Sequence, residues 1–293
     1  MSEPSTPHVG SGPAQIGPAV LGASAFACAD VLIKVVLIEG ADVLTMSAVR
    51  AVLGVAMLFA WLKLVPPRGT FSPRATWISL GLGVLFAGNV FLLFKAVERI
   101  EVPIAILTYF VYPLLTGLAA AATRLEKITW RGAAAAVVAF LGLALMIGAH
   151  PTTLAAAGIL AALGAAVCRV VILLLTRALL SGADPLRITW YSLLSSTAVF
   201  LLAALAAGNW QPPATAAGWL ALIVLSAAIT AGLLGVFAST VRIGPFRTAL
   251  FMNLEPPLTA IGSALFLGEI LTPLQVLGGG IMLAALVMFQ LRR

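Results

Sequence analysis

Charge is what this chain has least of. Only 9% of its 293 residues are Asp, Glu, Lys or Arg, against about 25% in a soluble domain. Hydrophobic residues make up 61%, and the mean hydropathy is +1.11. No soluble fold of this length can hide so much apolar surface, so the solvent for most of the chain is lipid. Cysteine and histidine are nearly missing. Cys28 and Cys168 fall inside apolar runs, and His8 and His150 fall in a tail and a loop. Neither a disulfide framework nor a metal site is indicated. Without a convergent catalytic set the chain does not read as an enzyme, and no cofactor is called for. No G-x-x-x-x-G-K-[ST] loop is present, so ATP is not the expected driving force. Residues 1–17 are rich in Ser, Pro and Gly, with no basic segment before a long apolar one, and are expected to form a flexible tail rather than a cleavable signal. The net charge of +7 does not point to nucleic acid, because the basic residues are scattered among apolar segments.

Apolar runs of about 20 residues follow one another almost without pause, each long enough to cross hydrocarbon as a helix. They predict an all-α polytopic membrane protein with spans at 18–38, 43–64, 74–97, 103–123, 129–148, 153–179, 186–207, 215–240, 247–268 and 272–291. Pro66-Pro67, Val102-Pro103, His150-Pro151, Asp184-Pro185, Pro212-Pro213, Gly244-Pro245 and Thr272-Pro273 punctuate them. Ten spans with the N-terminus inside put Lys63, Arg68, Arg74, Arg124, Lys127, Arg131, Arg177, Arg187, Arg242, Arg247, Arg292 and Arg293 on one side. Only Lys95 and Arg99 lie near the other. That asymmetry predicts both termini in the cytoplasm. Trp61, Trp77, Trp130, Trp210 and Trp219 fall at span ends, as an interfacial belt requires.

One stretch is written twice. Residues 99–129 align without a gap on 242–272, at a spacing of 143, with Arg99/Arg242, Pro113/Pro256, Thr116/Thr259, Glu126/Glu269 and Thr129/Thr272 in register. Gly40-Ala41-Asp42 recurs as Gly182-Ala183-Asp184. Matches among leucines and alanines are cheap in membrane segments, but an arginine, a proline and a glutamate in register are not. The duplication divides the chain into 18–148 and 153–291, with five spans each. An odd number of spans inverts the second copy, and inverted repeats place equivalent gates on opposite faces of a midplane site. The expected mechanism is alternating access, with hinges at Pro103 and at Gly244-Pro245.

Polar groups inside hydrocarbon are costly, about 2.5–3.5 kcal/mol for a charge at a helix centre, and are therefore informative. In span 4, Thr108, Tyr112 and Thr116 recur every four residues and share a face; in span 9 the corresponding face carries Glu255, Thr259 and Ser263. The two stripes either line a cavity or bond their own helix carbonyls and neighbouring helices. Glu255 stands two residues after Asn253 and directly before Pro256-Pro257, where proline unsettles the helix. It is either a site carboxylate or half of an ion pair with Arg169 of span 6. Asp30 and Lys34, four apart, read as a structural ion pair, with Arg50 toward the same half. Asn89, Tyr109 and Tyr191 beside Trp190 complete the polar and aromatic set. Glu126 and Glu269 close spans 4 and 9, where an acid opposes the helix dipole unless a neighbour compensates. Gly278-Gly279-Gly280 predicts close packing of span 10 on span 5 or on a second subunit.

The stretch 253–260, Asn-Leu-Glu-Pro-Pro-Leu-Thr-Ala, continuing to Leu265-Phe266-Leu267-Gly268-Glu269, resembles the EamA type of the drug/metabolite transporter superfamily. Tyr112-Pro113-Leu114-Leu115-Thr116 to Arg124-Leu125-Glu126 is a degenerate copy that lacks the glycine. The resemblance covers 18–291. It implies an inverted 5+5 repeat with a cavity built from spans 1, 3, 4, 6, 8 and 9, and spans 5 and 10 as scaffold or homodimer elements. It also implies a protein similar to the YddG-type amino-acid exporters of bacterial inner membranes, with aromatic or other neutral amino acids as substrates. The cavity is expected to be poor in fixed charge. Export of drugs or lipophilic cations centred on Glu255, or a scaffold or receptor role without transport, are the alternatives.

Overall fold

The computed structural model describes residues 13–64, 71–148 and 155–291. His8 and the rest of residues 1–12, Pro66, Pro67, Arg68, His150, Pro151, Arg292 and Arg293 lie outside the described residues. Among the described residues there is no strand. The helices are α1 (Pro13–Ile38), α2 (Val43–Leu64), α3 (Pro73–Val97), α4 (Val102–Tyr109), α5 (Tyr112–Ala122) and α6 (Trp130–Ile147). The second half adds α7 (Ala156–Leu180), α8 (Pro185–Ala207), α9 (Ala216–Ile243), α10 (Pro245–Met252), α11 (Glu255–Leu267) and α12 (Pro273–Leu291). Counting α4 with α5 and α10 with α11 as single interrupted crossings, nine are long and apolar enough to span a bilayer, and α12 is the tenth apolar helix.

Local chemistry sets the ends. Ser72, Thr129, Asp184 and Thr215 each accept a hydrogen bond from a backbone N–H two or three residues on, capping α3, α6, α8 and α9. α6, α8 and α11 stop at Gly148, Gly208 and Gly268, all in the left-handed conformation. α1 begins at Pro13, inside the stretch expected to be tail. Pro18 lies inside α1, one turn past its start, where its missing N–H removes one helical hydrogen bond.

The two interruptions fall at equivalent places in the two halves. Before Pro113 the chain tightens, with the Val111 N–H on the Thr108 carbonyl; before Pro256-Pro257 the Asn253 and Leu254 N–H groups bond the Leu250 and Phe251 carbonyls. These three-residue turns replace the α-helical pattern where proline has no donor to give. Paired broken helices in corresponding positions of a repeat are a mark of a central binding site.

Lipid offers no hydrophobic drive for helices to associate, so close approach of small residues does much of the packing. A Cβ on Gly235 of α9 would stand 2.7 Å from Gly22 Cα of α1, and one on Gly278 of α12 would stand 2.4 Å from the Gly142 carbonyl oxygen of α6. α6 and α12 thus form their own pair, while α1 with α9 and α3 with α7 and α8 build the rest of the bundle. Trp61, Trp77, Trp130, Trp210 and Trp219 are all exposed at helix ends or in the adjoining loop, matching the expected belt.

Gly278→Val forces α6 and α12 apart and is expected to cost about 1–3 kcal/mol, seen as a lowered unfolding temperature in detergent. Gly280→Ala, with nothing within 4 Å of its new methyl, serves as the near-neutral control.

Candidate functional site

A cavity of about 160 Å³ lies among α1, α2, α3, α4, α7, α9 and α11. Four charged side chains line it: Asp30 of α1, Arg50 of α2, Arg169 of α7 and Glu255 of α11. The expectation of a cavity poor in charge is therefore corrected. It holds two acids and two arginines, and the balance is zero.

Each charge is held by something other than a direct salt bridge to another of the four. Arg169 is buried, with its guanidinium 5.5 Å from the Phe26 ring centroid and 5.8 Å from that of Tyr112. Arg50 is buried 5.3 Å from the Phe200 ring. Cation–π contact holds each head in place, at about 2 kcal/mol when desolvated. The Nε atoms of both arginines, and the hydroxyl of Ser47 in the same lining, have no hydrogen-bond partner. Asp30 Oδ2 accepts from the Thr259 hydroxyl at 3.0 Å. Glu255 opens α11 directly after the break, with its carboxylate at the positive end of that half-helix.

The expected Asp30–Lys34 pair is not what forms. Lys34 bridges Glu269 at 2.8 Å and reaches Ser263 Oγ at 3.4 Å. The long lysine stem carries its ammonium toward the water-exposed end of the bundle, where both partners are about half exposed. Asp30, one turn deeper and with a short side chain, is left to the cavity.

The other anticipated site residues divide into layers. Asn89 and Tyr109 line the cavity, and the Asn89 amide donates to the Ala165 carbonyl at 2.6 Å. Tyr112 stands one layer back beneath Arg169, its ring 5.3 Å from that of Tyr109. Thr259 is behind Asp30. Thr116 donates to the Tyr112 carbonyl and Asn253 to the Leu250 carbonyl, so both are spent on their own chain. Thr108 is half-buried in α4 and outside the lining. Tyr191 stacks on Phe71, away from the cavity. Arg50, Ser47 and Phe26 were not singled out for the site. The signal for Arg50 was an arginine eight residues into an apolar span with no acid at helical spacing.

The cavity draws on both copies: Tyr109, at the α4–α5 break of the first, and Glu255, at the equivalent α10–α11 break of the second, both line it.

The two ends of the bundle differ. At the end rich in basic residues, α10 packs on α5, and Phe246 seats where a Cβ on Gly117 or Gly132 would lie 3.0 Å from its ring. Glu126 reaches across to accept from the Phe246 N–H at 2.9 Å and pairs with Arg247 Nε at 3.4 Å. Burial pushes the Glu126 carboxyl up from its ordinary range, against the pull of that N–H and of Arg247. This is the compensation an acid at the end of span 4 required: it caps the start of α10. Gly244, at φ +97°, lets the chain turn there, and a Cβ on it would meet the Glu126 carboxylate at 2.5 Å. Pro245 then opens α10, and Pro103 occupies the second position of α4. At the opposite end the equivalent pair, α4 with α11, has no comparable packing. The cavity lining follows that asymmetry, running from Phe26 to Ile33 on α1 and from Phe86 to Phe94 on α3, toward the opposite end.

Residues 16–148 and 156–291 each match the EamA-like transporter family. The chain belongs to that family. The EamA-like match falls once on each half, as the duplication requires. The chain is 29% identical over 243 residues to the threonine/homoserine exporter RhtA of Escherichia coli (strain K12), covering 82% of this chain and 79% of that one. It is 28% identical over 235 residues to RhtA of Salmonella typhimurium (strain SL1344), covering 79% and 76%. A solved crystal structure superposes with a TM-score of 0.79 at 19% identity, covering 94% of this chain and 99% of that one, so the two share a fold. The EamA-like family and these exporters make the chain a multi-pass membrane transporter rather than an enzyme.

Gly244→Ala puts a methyl into the Glu126 carboxylate at a positive φ, and is expected to cost about 1–3 kcal/mol in thermal unfolding. Gly208→Ala, left-handed but with open space around it, should cost less.

Proposed function

We propose that this chain exports small neutral amino acids from the bacterial cytoplasm across the inner membrane by alternating access. The observation that carries the proposal is the charge balance of the central cavity. Two guanidinium groups held over aromatic rings keep unpartnered N–H donors for a substrate carboxylate. Two carboxylates in the same lining suit an ammonium. A zwitterion pairs with both sets and leaves no charge uncompensated, whereas an anion or a cation alone leaves one set bare in a dry site. A lipophilic cation centred on Glu255 would face both arginines.

Size supports a short side chain. About 160 Å³ falls below the roughly 300 Å³ at which pockets for drug-sized ligands begin. Aromatic amino acids fit this space less well than threonine-sized ones, and the unpartnered Ser47 hydroxyl suits a substrate bearing its own hydroxyl. The exporters that the chain is similar to act, by their names, on threonine and homoserine.

The basic residues at the closed end favour placing that end, with both termini, in the cytoplasm. The cavity then faces outward. Return to the inward-facing form requires Glu126 to release the start of α10 and Phe246 to leave Gly117 and Gly132, with Gly244-Pro245 turning. Pro103 marks the equivalent hinge at the outer end, where α4 would close on α11.

Counterflow of radiolabelled threonine in proteoliposomes tests the proposal. Threonine, homoserine and serine are expected to compete, while N-acetylthreonine and threonine methyl ester, each missing one charge, are not. Glu255→Gln and Arg169→Gln are each expected to weaken competition by about 10- to 100-fold, the worth of one hydrogen bond to a charged group, with the protein still folded and inserted. Uptake of a hydrophobic cation without threonine counterflow would move the chain to drug export, and no transport of either would favour the scaffold or receptor role.

A further inference from the structure

A cavity larger than the central one lies elsewhere in the bundle. A cleft of about 590 Å³ opens between α6 and α12 at the basic end of the bundle. Its head is polar: among the described residues Lys127, Arg131 and Arg247 line it with one acid, Glu126, whose carboxylate is already engaged by the Phe246 N–H and Arg247. Its body is apolar, walled by Val138 and Met288, which are 41% and 57% exposed on the outer surface of the helix pair. Trp130, 75% exposed, stands at the junction of head and body, with the Arg131 guanidinium 5.6 Å from its ring.

We propose that this cleft binds one anionic phospholipid, its phosphate among Lys127, Arg131 and Arg247 and an acyl chain along Val138 and Met288. Three features select that occupant. The head carries an excess of two positive charges over Glu126, which favours an anionic headgroup over a zwitterionic one. The wall needs hydrocarbon, because an empty apolar groove forfeits dispersion contacts on its open side. A free phosphate would satisfy the head and leave the wall bare. A second copy of the chain docked by a two-fold axis through the cleft would set Lys127 and Arg131 against their own equivalents, and like charges repel. The tryptophan sits where interfacial aromatics do, between headgroup and chain. The site depends only on the chain lying in a membrane, and not on what it transports.

Native mass spectrometry of the full-length protein from neutral detergent tests the proposal, with phosphatidylglycerol, phosphatidylcholine and inorganic phosphate titrated separately. One phosphatidylglycerol is expected to be retained in preference to phosphatidylcholine, with no retention of phosphate. Lys127→Gln/Arg131→Gln should lose that preference by about 25-fold, roughly five-fold for each cation removed near the headgroup. Equal retention of the two lipids, an unchanged preference in the double variant, capture of phosphate alone, or a lipid-free dimer would each overturn the proposal. Should the double variant fail to fold, Val138→Trp blocks the wall without touching charge, and retention that survives it counts against the site as well.

Discussion

Every charge inside the hydrocarbon must be compensated within the bundle, and much of this structure follows from that constraint. Removing one partner of a buried charge set leaves a cost of several kcal/mol, about 3–5 by mutational measure. Here the solution is distributed. Arg50 and Arg169 lie over Phe200 and over Phe26 and Tyr112. Asp30 is met by the Thr259 hydroxyl, and Glu255 sits at the start of a half-helix. These partial compensations hold the groups in place while leaving the buried Nε–H of each arginine without a partner, in side chains that line one small space. A set of complete salt bridges would have given a more stable bundle with less to offer a ligand.

Duplication explains where that space lies. The two interrupted crossings are equivalent, and residues at both breaks, Tyr109 and Glu255, line the cavity. Equivalent residues there have diverged: Tyr112 packs beneath Arg169, whereas its counterpart Glu255 lines the cavity with a charge.

The same divergence appears at the ends. Glu126 and Glu269 are counterparts that meet different cations. Lys34 bridges Glu269 directly, while Arg177 donates to the Val241 carbonyl and acts on Glu126 through space. Glu126 is free to clasp the start of α10, where Phe246 and Arg247 offer an N–H and a guanidinium. The counterpart of Phe246 is Pro103, which has no N–H, so the clasp has no copy at the opposite end. One end is shut around Glu126 while the other stays apart, from two halves that share one plan.

The sequence alone determined the class, the ten apolar helices and the duplication, and it singled out Glu255, Arg169, Asn89 and Tyr109, which the fold brings to one cavity. These rest on signals local to the chain: run length, charges in loops, matched residues in register, and the cost of a charge in an apolar span. It could not determine partners between helices distant in sequence. Asp30 and Lys34 satisfy the helical spacing for an ion pair, yet Lys34 takes Glu269, 235 residues away, because only the folded bundle brings that carboxylate within reach. Thr108, Thr116 and Thr259 share one pattern and have three different fates, since the neighbouring helix decides what each hydroxyl meets. Arg50 enters the cavity for the same reason. Periodicity says which residues share a face of a helix, and only tertiary packing says what that face sees.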